Sequence, residues 1–261
     1  MNGRTRGWSA AFVFLFGISA NAASASEITV MSSGGFTAAL QALAPTFERE
    51  TSDRINIVLG PSMGTAEDAI PVRLKRGERA DLLIMVGYAL DDLVDKGVVR
   101  ADTRVELAAS KIAMAVRLGQ PKPDISTLDA FKATLLAAKS IAYSDSASGV
   151  YIEKEMYGRL GLSAELTPKS RMIVSERVGN VVARGEAEIG FQQVSELLPV
   201  KGIEFVGTIP AEVQKATTFS AGVPVAAKEP GIAKRFVAFL SSDEARATIV
   251  KTGLEPRDAR Q

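Results

Sequence analysis

Ile28-Thr29-Val30-Met31-Ser32-Ser33-Gly34-Gly35-Phe36-Thr37 is the stretch that decides the fold. Four strand-forming residues run into a turn of small ones, after which Leu40, Leu43, Ala44 and Phe47 recur at helical spacing as far as Glu50. The apolar period thus changes from that of a strand to that of a helix across one tight turn. The same grammar repeats along the chain. Strands are predicted over 55–59, 80–86, 112–116, 140–143, 172–174, 189–191, 203–207 and 219–225. Helices are predicted over 67–76, 128–138, 150–160, 178–184, 194–198 and 233–252, with Pro71 disturbing the first turns of the 67–76 segment and Gly77 ending it. Such alternation predicts an α/β protein with mostly parallel sheets.

An internal echo suggests two units. Arg76-Gly77-Glu78 before the strand at 80–86 and Arg184-Gly185-Glu186 before the strand at 189–191 share one order of helix end, glycine, acid and strand. The length of 261 residues is also generous for one domain and natural for two.

Composition removes several function classes. The chain has no cysteine and no histidine, so a zinc finger, a Ser-His-Asp triad and a cysteine nucleophile are excluded. Thirty-one basic residues against 30 acidic ones leave a formal charge of +1, with no electrostatic footprint for nucleic acid. At the N-terminus, Arg4 and Arg6 precede an apolar run, followed by Ala20-Asn21-Ala22 and Ala23-Ser24-Ala25. Positive, apolar and small-residue regions in that order predict a secretory signal peptide over 1–25, cleaved to release a periplasmic protein. The apolar run is too short for a spanning helix, and no later segment is long and apolar enough.

Three predicted strands end in small polar residues that open a helix: Ser32 to Thr37, Gly60-Pro61-Ser62-Met63-Gly64-Thr65, and Ser144-Asp145-Ser146-Ala147-Ser148-Gly149-Val150-Tyr151. Small side chains leave the backbone N–H groups of a helix start open, and that end carries about half a positive charge, which suits an anion. The same residues also serve as ordinary helix caps. In open α/β sheets the C-terminal strand ends form the ligand crevice. None of the three has the Gly-Lys-Ser/Thr ending of a phosphate loop. Candidate ligand contacts are therefore Ser33, Gly34, Ser62, Gly64, Thr65, Ser146 and Ser148. Gln192 and Gln193, just after a strand, could add amides, and Arg73 a guanidinium that pairs with carboxylate through two hydrogen bonds.

These motifs, with Gly77-x-x-Ala80-Asp81, Gly149-Val150-Tyr151 and Gly185-Glu186-Ala187-x-x-Gly190, resemble the molybdate-binding class of periplasmic solute-binding proteins over nearly the whole mature chain. The resemblance implies a two-lobed type 2 binding-protein fold with a central cleft: lobe I over 26–108 plus 219–261, lobe II over 109–218. The family's oxyanion contacts align with Gly35, Met63, Ser148, Val178 and Gln193, so two serines and a tyrosine of that pattern are missing, and molybdate is not the expected ligand. Fold persists while ligands change. The phrases Ser-Ser-Gly-Gly-Phe, Gly-Pro-Ser-Met-Gly-Thr and Gly-Phe-Gln-Gln are similar to aconitate isomerases built on this fold. That resemblance implies conversion between trans- and cis-aconitate by an allylic proton shift, with a tricarboxylate as partner and no cofactor. Asp145 is then a candidate base, since desolvation raises a carboxylate's pKa, and Tyr151 or a serine would return the proton. The alternative is a receptor that delivers a polycarboxylate or another small anion to an ABC importer's permease.

Overall fold

The computed structural model describes residues 25–174 and 176–257; the predicted leader lies outside them but for Ala25. In chain order the elements are β1 (Glu27–Ser32), α1 (Gly34–Thr51), β2 (Arg54–Leu59), α2 (Ile70–Lys75), β3 (Leu82–Val86), α3 (Gly87–Asp95), β4 (Val105–Ser110), β5 (Ile112–Arg117), α4 (Leu128–Ala137), β6 (Ile141–Ser144) and α5 (Ala147–Tyr151). A π-helical turn, Ile152–Met156, carries α5 into α6 (Tyr157–Leu160). Then come α7 (Ser163–Leu166), β7 (Ser170–Ile173), α8 (Val178–Ala183), β8 (Ile189–Gln193), α9 (Val194–Leu197), β9 (Ile203–Thr208), β10 (Thr217–Gly222), α10 (Pro230–Leu240), α11 (Asp243–Lys251) and β11 (Glu255–Pro256).

Two mixed sheets result. The first has the order β11-β4-β10-β3-β1-β2 and the second β7-β6-β8-β5-β9. In each, three neighbouring strands are parallel (β3-β1-β2 and β7-β6-β8) and the rest are antiparallel. The expectation of mostly parallel sheets is corrected on this point. The chain leaves one sheet at Ser110 and enters the other at Ile112 with no crossover helix, so β5 runs antiparallel to both its neighbours.

Each sheet has its own core. Around the first, Phe36, Leu40 and Phe47 of α1 pack with Phe236, Leu83 and Ile84, and the Phe47 and Phe236 rings lie 4.7 Å apart. In the second, Phe131 meets Phe191 edge-on at 6.0 Å beside Tyr157. Each such buried side chain contributes about 1.5–3 kcal/mol.

Local chemistry moves some expected boundaries. α2 begins at Ile70 with Pro71 in its first turn, where a missing N–H costs nothing, so the helix expected from 67 is shorter. The helix expected over 233–252 is two, because Ser242 takes an extended conformation and caps α11 through its hydroxyl, which accepts from the Ala245 N–H. Gln192 and Gln193 are the last residues of β8, not a loop after it, since both pair with β5. α3, β4, α7 and β11 lie outside the expected elements.

Candidate active site between the two sheets

The C-terminal ends of β1, β2, β6 and β8 meet around one pocket of about 220 Å³. Gly34, Thr37, Leu59, Gly60, Pro61 and Asp68 line it from the first sheet's side. Ser144, Asp145, Ser146, Glu176, Arg177, Gln192 and Glu196 line it from the second.

The start of α1, a helix of 18 residues, faces this pocket with an end that carries about half a positive charge. Ser33 is its N-cap but makes no side-chain cap bond; its carbonyl accepts from the Thr37 hydroxyl at 3.1 Å. The Ser33 hydroxyl is buried without a hydrogen-bond partner. Opposite, Asp145 has its N–H bonded to the Ile173 carbonyl at 3.1 Å, which turns the chain after β6. Burial raises the Asp145 pKa, its own backbone hydrogen bond opposes this, and the charge of Asp68 adds to the rise.

Glu196, on α9, is the residue that sequence reasoning passed over. It is 7% exposed. Its carboxylate accepts from Gln192 Nε2 at 3.1 Å, and the oxygen of the same Gln192 amide accepts from the Val178 N–H at 2.9 Å. Burial pushes the Glu196 pKa up to about 7, against the opposing charge of Arg177 and hydrogen bonds from Gln192 and the Gln193 backbone; Asp145 adds a further rise. A glutamate in the first turn of a helix ordinarily reads as a solvated, dipole-matched acid. Its spacing of four from Gln192 was the signal available. Arg177, the N-cap of α8, lines the same pocket and forms no salt bridge among the described residues.

Residues 28–255 match the family described as bacterial extracellular solute-binding protein. The chain belongs to that family. Among its relatives, the aconitate isomerase of Pseudomonas sp is 49% identical over 229 residues, 88% of this chain and 87% of that protein. The molybdate-binding protein ModA of Escherichia coli strain K12 is 26% identical over 248 residues, 91% and 93% of the two chains. The solved periplasmic molybdate-binding protein of Azotobacter vinelandii superimposes with a TM-score of 0.70 at 20% identity, covering 87% of this chain and 98% of that one. This solute-binding protein is thus a homologue of aconitate isomerase on a molybdate-binding-like fold. No helix among the described residues is long and apolar enough to cross a membrane.

Of the residues singled out from sequence, the fold brings Gly34, Asp145, Ser146 and Gln192 together on the pocket wall. Ser33 and Ser148 are buried just behind it, and the Ser148 hydroxyl lies 3.2 Å from that of Ser144. Ser62 is buried and its hydroxyl accepts from the Val86 N–H at 2.9 Å, a bond that ties the β2–α2 loop to β3. Gly64, at φ +98°, and Thr65 form an exposed turn away from the lining. Arg73 donates to Glu78 at 2.8 Å and to the Asp68 carbonyl at 3.0 Å, which brace their own loop. Tyr151 is buried, donates its hydroxyl to the Val213 carbonyl at 2.8 Å and accepts from Arg159 at 2.9 Å, with Lys215 over its ring.

Gln193 sits where the chain passes between the sheets. Oriented to satisfy both ends, its amide donates to the carbonyls of Ser110 (3.0 Å) and Lys111 (3.3 Å) and accepts from the Thr217 hydroxyl (2.8 Å). Val178, which aligns with one of the family's oxyanion contacts, donates its N–H to the Gln192 side chain. Gly149 is required by packing, because a Cβ there would overlap the Ser144 carbonyl.

Proposed function

We propose that this protein interconverts trans- and cis-aconitate in the periplasm by a 1,3-allylic proton shift, without a cofactor. One observation carries the reading. Two carboxylates with raised pKa, Glu196 and Asp145, share a pocket with an uncommitted guanidinium, Arg177, and the N-terminus of α1. Buried acids repel an anion once they are ionised, so a site made only to hold one gains little from them. A site that moves a proton from carbon needs one of them as a base, and donors for the charge that forms. The half-identical relative named aconitate isomerase supports the same chemistry.

In this reading Arg177 pairs with one substrate carboxylate, and the first N–H groups of α1, with Gly34 and Ser33, receive a second. Asp145 and Ser146 face the middle of the substrate. The cleft lies between lobes 26–108 plus 219–261 and 109–218, which close over it and exclude water, as the electrostatics of such a step favour.

Incubation of the purified protein with trans-aconitate, followed by chromatography or the absorbance change, tests the proposal. Appearance of the cis isomer is expected. Thermal stabilisation by trans-aconitate with no turnover would instead make the protein a receptor for an importer, the role that is ordinary for its family.

A further inference from the structure

We infer that Glu196 is the residue that takes the allylic proton from the substrate and gives it back. The inference rests on the isomerase reading and names the group that performs it.

Geometry selects Glu196 over Asp145. The Glu196 carboxylate lies against Gly34, so close that a Cβ on Gly34 would overlap it. It therefore stands beside the first residue of α1, where a bound carboxylate would be held and where negative charge is best tolerated. Deprotonation of the methylene next to such a group puts the base beside the carbon that loses the proton, and the helix end beside the near half of an allylic charge that the far carbon and its carboxylate share. The Ser33 hydroxyl, buried at the same helix end and without a partner, is available to that charge. Glu196 is almost wholly shielded from water, whereas Asp145 is part-exposed beside Asp68. Gln192 acts as a positioning residue: its amide spans the Val178 N–H and Glu196, so the carboxylate is pinned from β8. Glycine at 34 and glutamate at 196 thus form one device, a gap and the acid that fills it.

The step balances without any other reagent. Glu196 carboxylate accepts a proton from the methylene carbon. The electron pair of that C–H bond becomes a new C=C bond to the central carbon. The pair of the old double bond moves towards the far carbon and its carboxylate. Glu196, now the acid, returns the proton to that far carbon. Substrate and product have the same composition, and the enzyme ends with Glu196 ionised as it began. The charged groups that face Glu196 are Arg177, which favours its anion, and Asp145, which opposes it.

Glu196→Gln tests the inference, with binding and turnover measured separately. Glutamine keeps the acceptor for Gln192 but cannot take a proton from carbon. The expected result is a fall in kcat of about 10²–10⁴-fold, with Kd for trans-aconitate changed only a few-fold and the melting curve still cooperative. A variant that keeps more than a tenth of the wild-type kcat would overturn the inference while leaving the isomerase reading intact. Inactivity of the wild-type protein towards trans-aconitate would instead overturn that reading. The wild-type pH profile provides a second readout that does not depend on the variant folding. kcat is expected to rise with pH through a midpoint at or above about 7, since the bound trianion pushes the Glu196 pKa further up. A flat profile from pH 6 to 9 would sink the assignment.

Discussion

Gly34 and Glu196, 162 positions apart in the chain, occupy one another's space: the glutamate carboxylate lies where any side chain at 34 would begin. The helix that starts at 34 and the short helix that carries 196 come from different halves of the protein's strand order, and they pack directly. A residue usually valued for backbone freedom is here valued for absence of volume.

Gly34→Ala should separate activity from stability. The displaced atom is the far end of a flexible side chain, so the backbone need not move. Alanine is also the better helix former by up to about 1 kcal/mol. Expected is a thermal midpoint equal to wild type or slightly higher, with kcat lowered at least about tenfold as the carboxylate is pushed off its position. Turnover assays and calorimetry on the same preparation check both.

Arg177→Ala should weaken binding of trans-aconitate by about 1.5–3 kcal/mol, the worth of a charged hydrogen-bonded contact. That corresponds to roughly a 10–150-fold rise in Kd by calorimetric titration. Because the Arg177 charge holds the Glu196 pKa down, the acidic limb of kcat should also move to higher pH. An unchanged Kd would remove Arg177 from the substrate contacts.

Glu196→Gln should alter the pH dependence of stability in a defined direction. The folded pKa of Glu196, about 7, lies above the 4.5 of the free side chain. The unfolded chain therefore releases this proton first as pH rises, and the native state loses stability from about pH 4.5 to 7 before levelling. The shift corresponds to about 2–4 kcal/mol. Urea melts at pH 4 and pH 8 should show the variant more stable than wild type at pH 8 by an amount of that order, with little difference at pH 4. No gain at pH 8 would mean that the buried carboxylate is not destabilising.

Gln193→Ala should act on the framework. It removes an amide that joins the Ser110 and Lys111 carbonyls to Thr217, so both passages between the sheets lose a tie. With Gln193, Ser110 and Thr217 buried, the cost is about 1–3 kcal/mol, read as a lower urea midpoint.

Gly34, Asp145, Ser146 and Gln192 are the lining residues legible in the sequence. The strand–turn–helix pattern placed Gly34, Asp145 and Ser146 at strand ends, and those ends do converge. Arg73 and Arg177 show where the reading stopped. Arg73 lies within the short helix α2 and Arg177 caps the short helix α8, and a sequence offers no reason to prefer one; Glu78 and the Asp68 carbonyl occupy Arg73, while Arg177 is left facing the pocket. Gln193 carries the amide of a ligand contact and spends it on three groups of the inter-sheet passage.

The amino-acid sequence by itself determined the periodicity, the turns and the helix starts, because these depend on residues within one or two helical turns of each other. Mixed strand direction, the burial of Glu196 against Gly34 and the choice of Arg177 were decided only by tertiary structure. Desolvation and steric exclusion arise between segments distant in the chain, and no local pattern encodes which of them meet.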